Sequence, residues 1–235
     1  MKHIGVKTIF KSDTDILSPK AYHKYGFELT KKYTLWKESR LLDVGCLVGN
    51  YLYLLQNSNA IGIDVLIDPI KSAAKKRLNN DFALSSVLNL SFQNSSFDSL
   101  TMWEVIEHVP SGTEKDAFKE VYRVLKNHGT LLLSTPNNNF FSIILDPAYF
   151  LWHHRHYDKK DLEKMLEEIG FVVVHSEIKA GFNELLGFLI TAFFKYAFHR
   201  RFENLQQFLE KQSEKEYKKK GGFSRIFIVA KKINK

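Results

Sequence analysis

The sequence predicts an α/β protein: a seven-stranded, mostly parallel sheet with helices on both faces and a helical insertion before the last strand. Three observations lead there. Short apolar runs alternate with helical patterns from residue 41 to residue 175, as βα units do. The run Leu41-Leu42-Asp43-Val44 ends in Gly45 and Gly49, four residues apart, where a buried strand turns tightly into a helix. A long stretch, residues 181–220, then breaks the alternation before a last apolar run.

Residues 1–39 are mixed and polar, with Tyr22, His23, Tyr25, Tyr33 and Trp36 spaced along a helix from Pro19 to Lys37. This helix either packs its aromatics on the sheet or covers a site, with Tyr22, His23 or Tyr25 on the ligand. Leu41–Gly45 is the first strand and Asn50–Gln56 a helix. Ala60–Val65 is the second strand, and Pro69–Leu78 a helix whose proline sits where no N–H is needed. Ala83–Ser86, Phe97–Trp103 and Thr130–Ser134 are strands three to five, with a helix over Thr113–Leu125. Asp158 caps a helix that Gly170 ends. Phe171–His175 and Arg225–Ala230 complete the sheet. The chain so divides into a cover helix (1–39), a ligand-binding core (40–180), an insertion (181–222) and a last core strand (223–235). Ligands of such sheets bind beyond the carboxyl ends of the strands, at the topological switch point.

A length of 235 residues and a hydrophobic content of 44% suit one α/β domain with a full core. The one cysteine, Cys46, excludes an intramolecular disulfide framework and a multi-cysteine metal cage. No apolar run approaches the ~20 residues of a membrane span, and Met1 to Lys11 lacks the apolar centre of a signal peptide. The expectation is a cytoplasmic protein. The formal charge of +8 raises nucleic acid or an anionic membrane as partners. No nucleic-acid motif accompanies it, and much of the excess is local, at Lys218–Lys220 and at Lys231, Lys232 and Lys235.

Asp64 stands 21 positions after Asp43, at the end of the second strand. An acid about 20 residues past a glycine turn is placed to accept both hydroxyls of a ribose. The plainer role is a cap on the helix that follows.

Four stretches, in this order and spacing, carry a family resemblance: Leu-Leu-Asp-Val-Gly-Cys (41–46), Gly-Ile-Asp (62–64), Ser-Phe-Asp-Ser-Leu-Thr-Met-Trp-Glu-Val-Ile-Glu-His-Val (96–109) and Leu-Leu-Leu-Ser-Thr-Pro-Asn (131–137). The chain resembles the Rossmann-like class I S-adenosylmethionine-dependent methyltransferases, and within them the group that includes the ubiquinone-biosynthesis O-methyltransferases. The resemblance covers about Arg40 to Phe171. A nicotinamide-dependent enzyme would want Gly-x-Gly-x-x-Gly in the first turn, which is absent. The resemblance implies S-adenosyl-L-methionine as cofactor. Asp43, Gly45, Cys46 and Gly49 then line its methionine moiety, Asp64 its ribose and Val65 its adenine. Ser86 and Val87 take the adenine edge, and Trp103, Glu104 and Val105 sit beside the sulfonium. Two residues depart from the family pattern. Leu47 stands where glycine is usual, and Ser86 where an acid is common, so the amino group of adenine is offered a weaker acceptor.

Methyl transfer to a hydroxyl needs a base, and histidine titrates near neutrality. His108, in Glu104-x-x-Glu107-His108, and His154, in His153-His154-Arg155-His156-Tyr157, are the catalytic candidates. In quinone O-methyltransferases the Glu-x-x-Glu-His group is associated with a divalent ion; here either a metal site or a structural turn fits, and the metal stays unknown. The apolar stretch 185–198 with basic His199-Arg200-Arg201 behind it suits a lid, a dimer contact or a membrane surface met through residues 185–201. The expected reaction is methylation of a small or lipid-like acceptor, at oxygen. The alternatives are an RNA-modifying methyltransferase, disfavoured because Trp103-Glu104-Val105-Ile106 replaces the Asn/Asp-Pro-Pro-aromatic motif, and a non-catalytic protein of the same fold.

Overall fold

A computed structural model describes residues 19–76, 78–198 and 202–233; the reading of Met1 to Lys11 falls outside them. Seven strands form one sheet in the order β3-β2-β1-β4-β5-β7-β6. They are β1 (Leu41–Val44), β2 (Ile61–Asp64), β3 (Asp81–Leu84), β4 (Phe97–Trp103), β5 (Leu125–Pro136), β6 (Phe171–Lys179) and β7 (Arg225–Lys232). β1 to β5 run parallel, and β7 lies antiparallel between β5 and β6. The sequence order reverses across β1 and β4, which makes their carboxyl ends the switch point.

Every residue of β1 is buried, because both faces of the sheet are covered. Side-chain alternation sorts each strand between two cores. Leu42, Leu131, Leu133, Ile226 and Ile228 pack with Phe118 and Val121 of α4 (Glu114–Val124) and Leu162 and Leu166 of α7 (Lys159–Ile169). Leu41, Leu132, Phe227 and Val229 pack with α1 (Ala21–Tyr33) and α2 (Asn50–Leu55). The aromatics of α1 therefore do pack on the sheet: Tyr25 meets Phe227 edge-on at 5.0 Å. Gly26 lets α1 come close, since a Cβ there would lie 2.7 Å from the Trp103 ring.

Several elements differ from their expected bounds. α3 (Ile67–Lys75) begins before Pro69, which is tolerated because the first turn's N–H groups have no partners inside the helix. β5 extends back to Leu125 through an irregularity opposite Phe97 and Ser99. β6 reaches Lys179 because β7 pairs with it along its length. Two short helices were not foreseen, α5 (Phe140–Ile144) and α6 (Pro147–Trp152). Their caps are the side chains of Asn139 and Asp146, which accept from the N–H groups of Phe141 and Ala148. The stretch between β6 and β7 forms α8 (Phe182–Phe198) and α9 (Glu203–Tyr217). Among the described residues no helix is long and apolar enough to cross a membrane.

Candidate active site

The turn after β1 is built from three residues in the left-handed region: Gly45 (φ 73°), Leu47 (φ 46°) and Gly49 (φ 83°). Glycine adopts this freely; leucine does so at a cost of about 1–2 kcal/mol. The amides of Gly45 and Cys46 donate to the carbonyl of Ile63 at 2.8 and 3.0 Å, fixing the turn to β2. The amide of Leu47 donates to Asp64 Oδ2 at 2.9 Å, a bond to a carboxylate that offsets the backbone strain. Asp64 Oδ1 accepts from Leu66 N at 2.9 Å. Asp64 is thus more than a cap: it ties the first turn to the second. Burial raises its carboxyl above the ordinary range, and the N–H groups of Leu66 and Leu47 work against that. Each of its oxygens keeps a further lone pair.

Asp43 is 2% exposed. Its Oδ1 accepts from Thr101 Oγ1 at 2.7 Å across β1 and β4, while Oδ2 is buried with no partner among the described residues. Burial, and secondarily Asp64, push its carboxyl up to about 7. Cys46 is buried and its thiol is pushed up by burial, so it is a packing residue and not a thiolate. Ser86 Oγ accepts from Leu88 N at 3.2 Å, and the Val87 side chain lies in the core. Val65 is exposed.

The segment after β4 folds back over this turn, so that a Cβ on Gly45 would lie 2.5 Å from Val105 Cγ2. Trp103 is buried against Tyr51 and Phe227. Glu104, itself left-handed at φ 57°, accepts from Ser134 Oγ at 2.7 Å and pairs with Arg225. Arg225 also meets Glu184 of α8 at 3.3 Å and lies over the Tyr22 ring at 4.6 Å. Glu107 is 3% exposed; its Oε2 accepts from Thr135 Oγ1 at 3.0 Å and its Oε1 has no partner among the described residues. Burial first, then Glu104, raises its carboxyl well above the carboxylate range.

The structure brings the two histidine candidates together: His108 Nε2 and His154 Nε2 are 3.2 Å apart, with the rings edge to face. His154 Nδ1 faces Asp146 Oδ2 at 3.7 Å. The same carboxylate oxygen lies 3.0 Å from His156 Nε2, and His156 Nδ1 lies 3.1 Å from the Asn137 carbonyl, so His156 is a packing residue. Burial would raise the Asp146 carboxyl; the nearby His154 ring and the bonds with His156 and Ala148 N outweigh that and hold it far below. His108 is lowered to about 4 by desolvation and then by His154 and Arg155. Arg155 clamps the 3₁₀ turn Ile106–His108 from below. It donates to the carbonyls of Ile106 (2.9 Å), Glu107 (3.3 Å) and Val109 and pairs with Glu114. Tyr157 adds a bond to Ile106 O at 3.0 Å. A cleft of about 440 Å³ opens beside His154, lined by Asn138, Ile143, Tyr149 and the 153–157 loop.

The Glu104, Glu107 and His108 side chains do not fit a divalent ion. The first is paired with Arg225, the second has its carboxyl raised by burial and accepts from Thr135, and the third faces His154. Among the described residues no group of three or more His, Cys, Asp or Glu is arranged to hold a metal ion. An adenosylated amino acid does fit the first turn, where the unpartnered Asp43 Oδ2 suits an ammonium group and Asp64 keeps lone pairs for hydroxyls. Sequence reasoning missed Asp146, Glu184 and Arg225. Asp146-Pro147 is a helix-start signal, and Arg225 opens the one strand that runs against the others, which brings it to the carboxyl edge.

A parallel sheet whose first two strands end in acids around a left-handed turn has the architecture of a nucleotide-type site. Within that class the chain matches the methyltransferase domain over residues 20–176, more than half its length, and it belongs to that family. An uncharacterized protein of Methanocaldococcus jannaschii is 29% identical over 150 residues, covering 63% of this chain and 61% of that protein. The ubiquinone biosynthesis O-methyltransferase of Coxiella burnetii is 34% identical over 110 residues, 44% of this chain and 46% of that protein. The match thus spans less than two thirds of the length of these curated relatives. The phosphoethanolamine N-methyltransferase 2 of Haemonchus contortus was solved with phosphomonomethylethanolamine and S-adenosylhomocysteine. It shares the fold with a TM-score of 0.67 at 16% identity, over 94% of this chain and 55% of that one.

Proposed function

We propose that this chain is an S-adenosyl-L-methionine-dependent methyltransferase acting on an oxygen of a small or lipid-like acceptor. The observation that carries it is the pair of acids at the first turn, Asp43 with a buried unpartnered oxygen and Asp64 bonded to Leu47 N. Asp43 receives the ammonium of the cofactor and Asp64 its ribose. Gly45, Cys46 and Gly49 line the methionine, Val65, Ser86 and Val87 the adenine, and the backbone of Trp103 and Glu104 the sulfonium side. The cofactor supplies a methyl group already activated on sulfur.

His108 is the base. The negative Asp146 carboxylate, 3.7 Å from His154 Nδ1, favours the His154 tautomer with its proton on Nδ1 through its charge. His154 Nε2 then accepts from His108 Nε2–H, which leaves His108 Nδ1 with a lone pair for the acceptor's proton. The positive charge formed there is shared with His154 and balanced by Asp146. Calorimetric titration with S-adenosylmethionine and S-adenosylhomocysteine tests the cofactor reading. Binding by the wild type and its loss in Asp64→Ala are expected; a wild type that binds neither overturns it.

A further inference from the structure

We propose that α5, α6 and α8 together form a face that docks on the surface of an anionic lipid bilayer, with the His154 cleft opening at that surface. On α8, Phe182, Leu186, Leu189 and Phe193 recur at helical spacing and are all exposed, Phe193 by 59%. The opposite side of α8 is occupied: Gly187 lies against Leu209 of α9, where a Cβ would be 3.5 Å away. The stripe is therefore not the side that packs the helix into the fold. Phe140 (68% exposed), Phe141 and Ile144 of α5 continue it, and Phe141 meets Phe182 at 5.2 Å between ring centres. Phe150 of α6 is 60% exposed, while Ile143 and Tyr149 of the same two short helices line the cleft. Elements far apart in sequence thus present one apolar rim beside the cleft, and contiguous exposed apolar groups of this kind mark interaction surfaces.

The charge selects the partner. Between Glu184 and Glu203 the chain holds no acid, and it holds Lys195, Arg200 and Arg201. An anionic bilayer meets apolar and basic groups together. With 17 residues, α8 is about 25 Å long, short of the ~30 Å hydrocarbon layer, so it lies along the surface. The link to the cleft rests on the proposed lipid-like acceptor; the docking itself does not.

Co-sedimentation of the full chain, without cofactor, tests the docking on phosphatidylcholine vesicles with and without phosphatidylglycerol. Partition onto the anionic vesicles is expected. A Phe182→Ser, Leu186→Ser, Phe193→Ser variant should lose at least ~10-fold in partition at unchanged circular dichroism. An Arg200→Gln, Arg201→Gln variant should lose roughly 30-fold on anionic vesicles only. Absence of vesicle binding by the wild type overturns the proposal. So does an unchanged partition of the serine variant, including the case in which that variant instead turns a dimer into a monomer in sedimentation velocity. Cofactor calorimetry is independent of either result, so failure of the docking and failure of the methyltransferase reading are told apart.

Discussion

Leu47 is the residue where sequence and backbone disagree most. A branched side chain holds φ 46° in a turn that glycine would occupy without strain. Replacing it by glycine removes about 1–2 kcal/mol of strain and adds about 0.4–1 kcal/mol of unfolded-state entropy. Leu47→Gly should therefore be neutral to mildly stabilising, by up to about 1.6 kcal/mol in urea denaturation, and a clear loss would mean the isobutyl group is a packing element of the turn. Asp43 makes a prediction with a sign. Its folded carboxyl keeps its proton up to about 7, whereas the unfolded chain releases it near the ordinary value of 3.8. Between those values the folded state binds more protons, so this group's contribution to stability falls as pH rises. The gap is worth about 4 kcal/mol at most, because a tenfold change in proton affinity is about 1.4 kcal/mol. Asp43→Asn has no such slope. Its stability relative to wild type should climb from pH 4 to pH 7 and level off above, in denaturation curves measured across that range. The first turn was legible in the sequence because glycine spacing and acids at strand ends are local signals. The engagement of Asp64 by Leu47 N was not, since a backbone bond across 17 positions leaves no mark in residue type.

Among the elements, the loop from His153 to Tyr157 divides its work. Arg155, His156 and Tyr157 hold backbone, and His154 alone turns to His108. The sequence put His154 forward from this loop but not the division of work, because which ring packs and which faces a cleft depends on the Asn137 carbonyl and on Asp146, the unforeseen cap of α6. The lowering of His108 to about 4 makes its ring neutral throughout the physiological range. Its Cε1 proton resonance should stay flat between pH 5 and 8. Arg155→Gln removes one of the positive neighbours and loosens the 3₁₀ turn, so the titration should move up toward the ordinary value near 6.5. A ring that already titrates near 6.5 in the wild type would rule out a neutral His108 held by its surroundings.

For the molecule as a whole, Arg225 gathers what the topology leaves open. It joins β4 through Glu104 and α8 through Glu184, and Tyr22 of α1 stacks on it. Burying such charges adds little net stability, but removing one partner strands the others. Arg225→Met should cost about 3–5 kcal/mol, read as a fall in the denaturation midpoint. Glu104→Gln placed on top should recover part of it, and additive losses would speak against a shared cluster. The mostly parallel sheet and its cover on both faces followed from alternation in the sequence. The antiparallel seventh strand and its ion cluster did not, since pairing direction is decided by where a chain re-enters a sheet.

Lys179 and Arg225 are register partners across β6 and β7. The chain leaves the sheet and comes back at a single rung, so α8 and α9 amount to the loop of a β-hairpin, grown long. Closing such a loop costs little more as it lengthens, and nothing in the strand register depends on what it contains. The sequence of this segment can therefore drift while β1 and β2, buried at the centre of the sheet, stay under the discipline of the core.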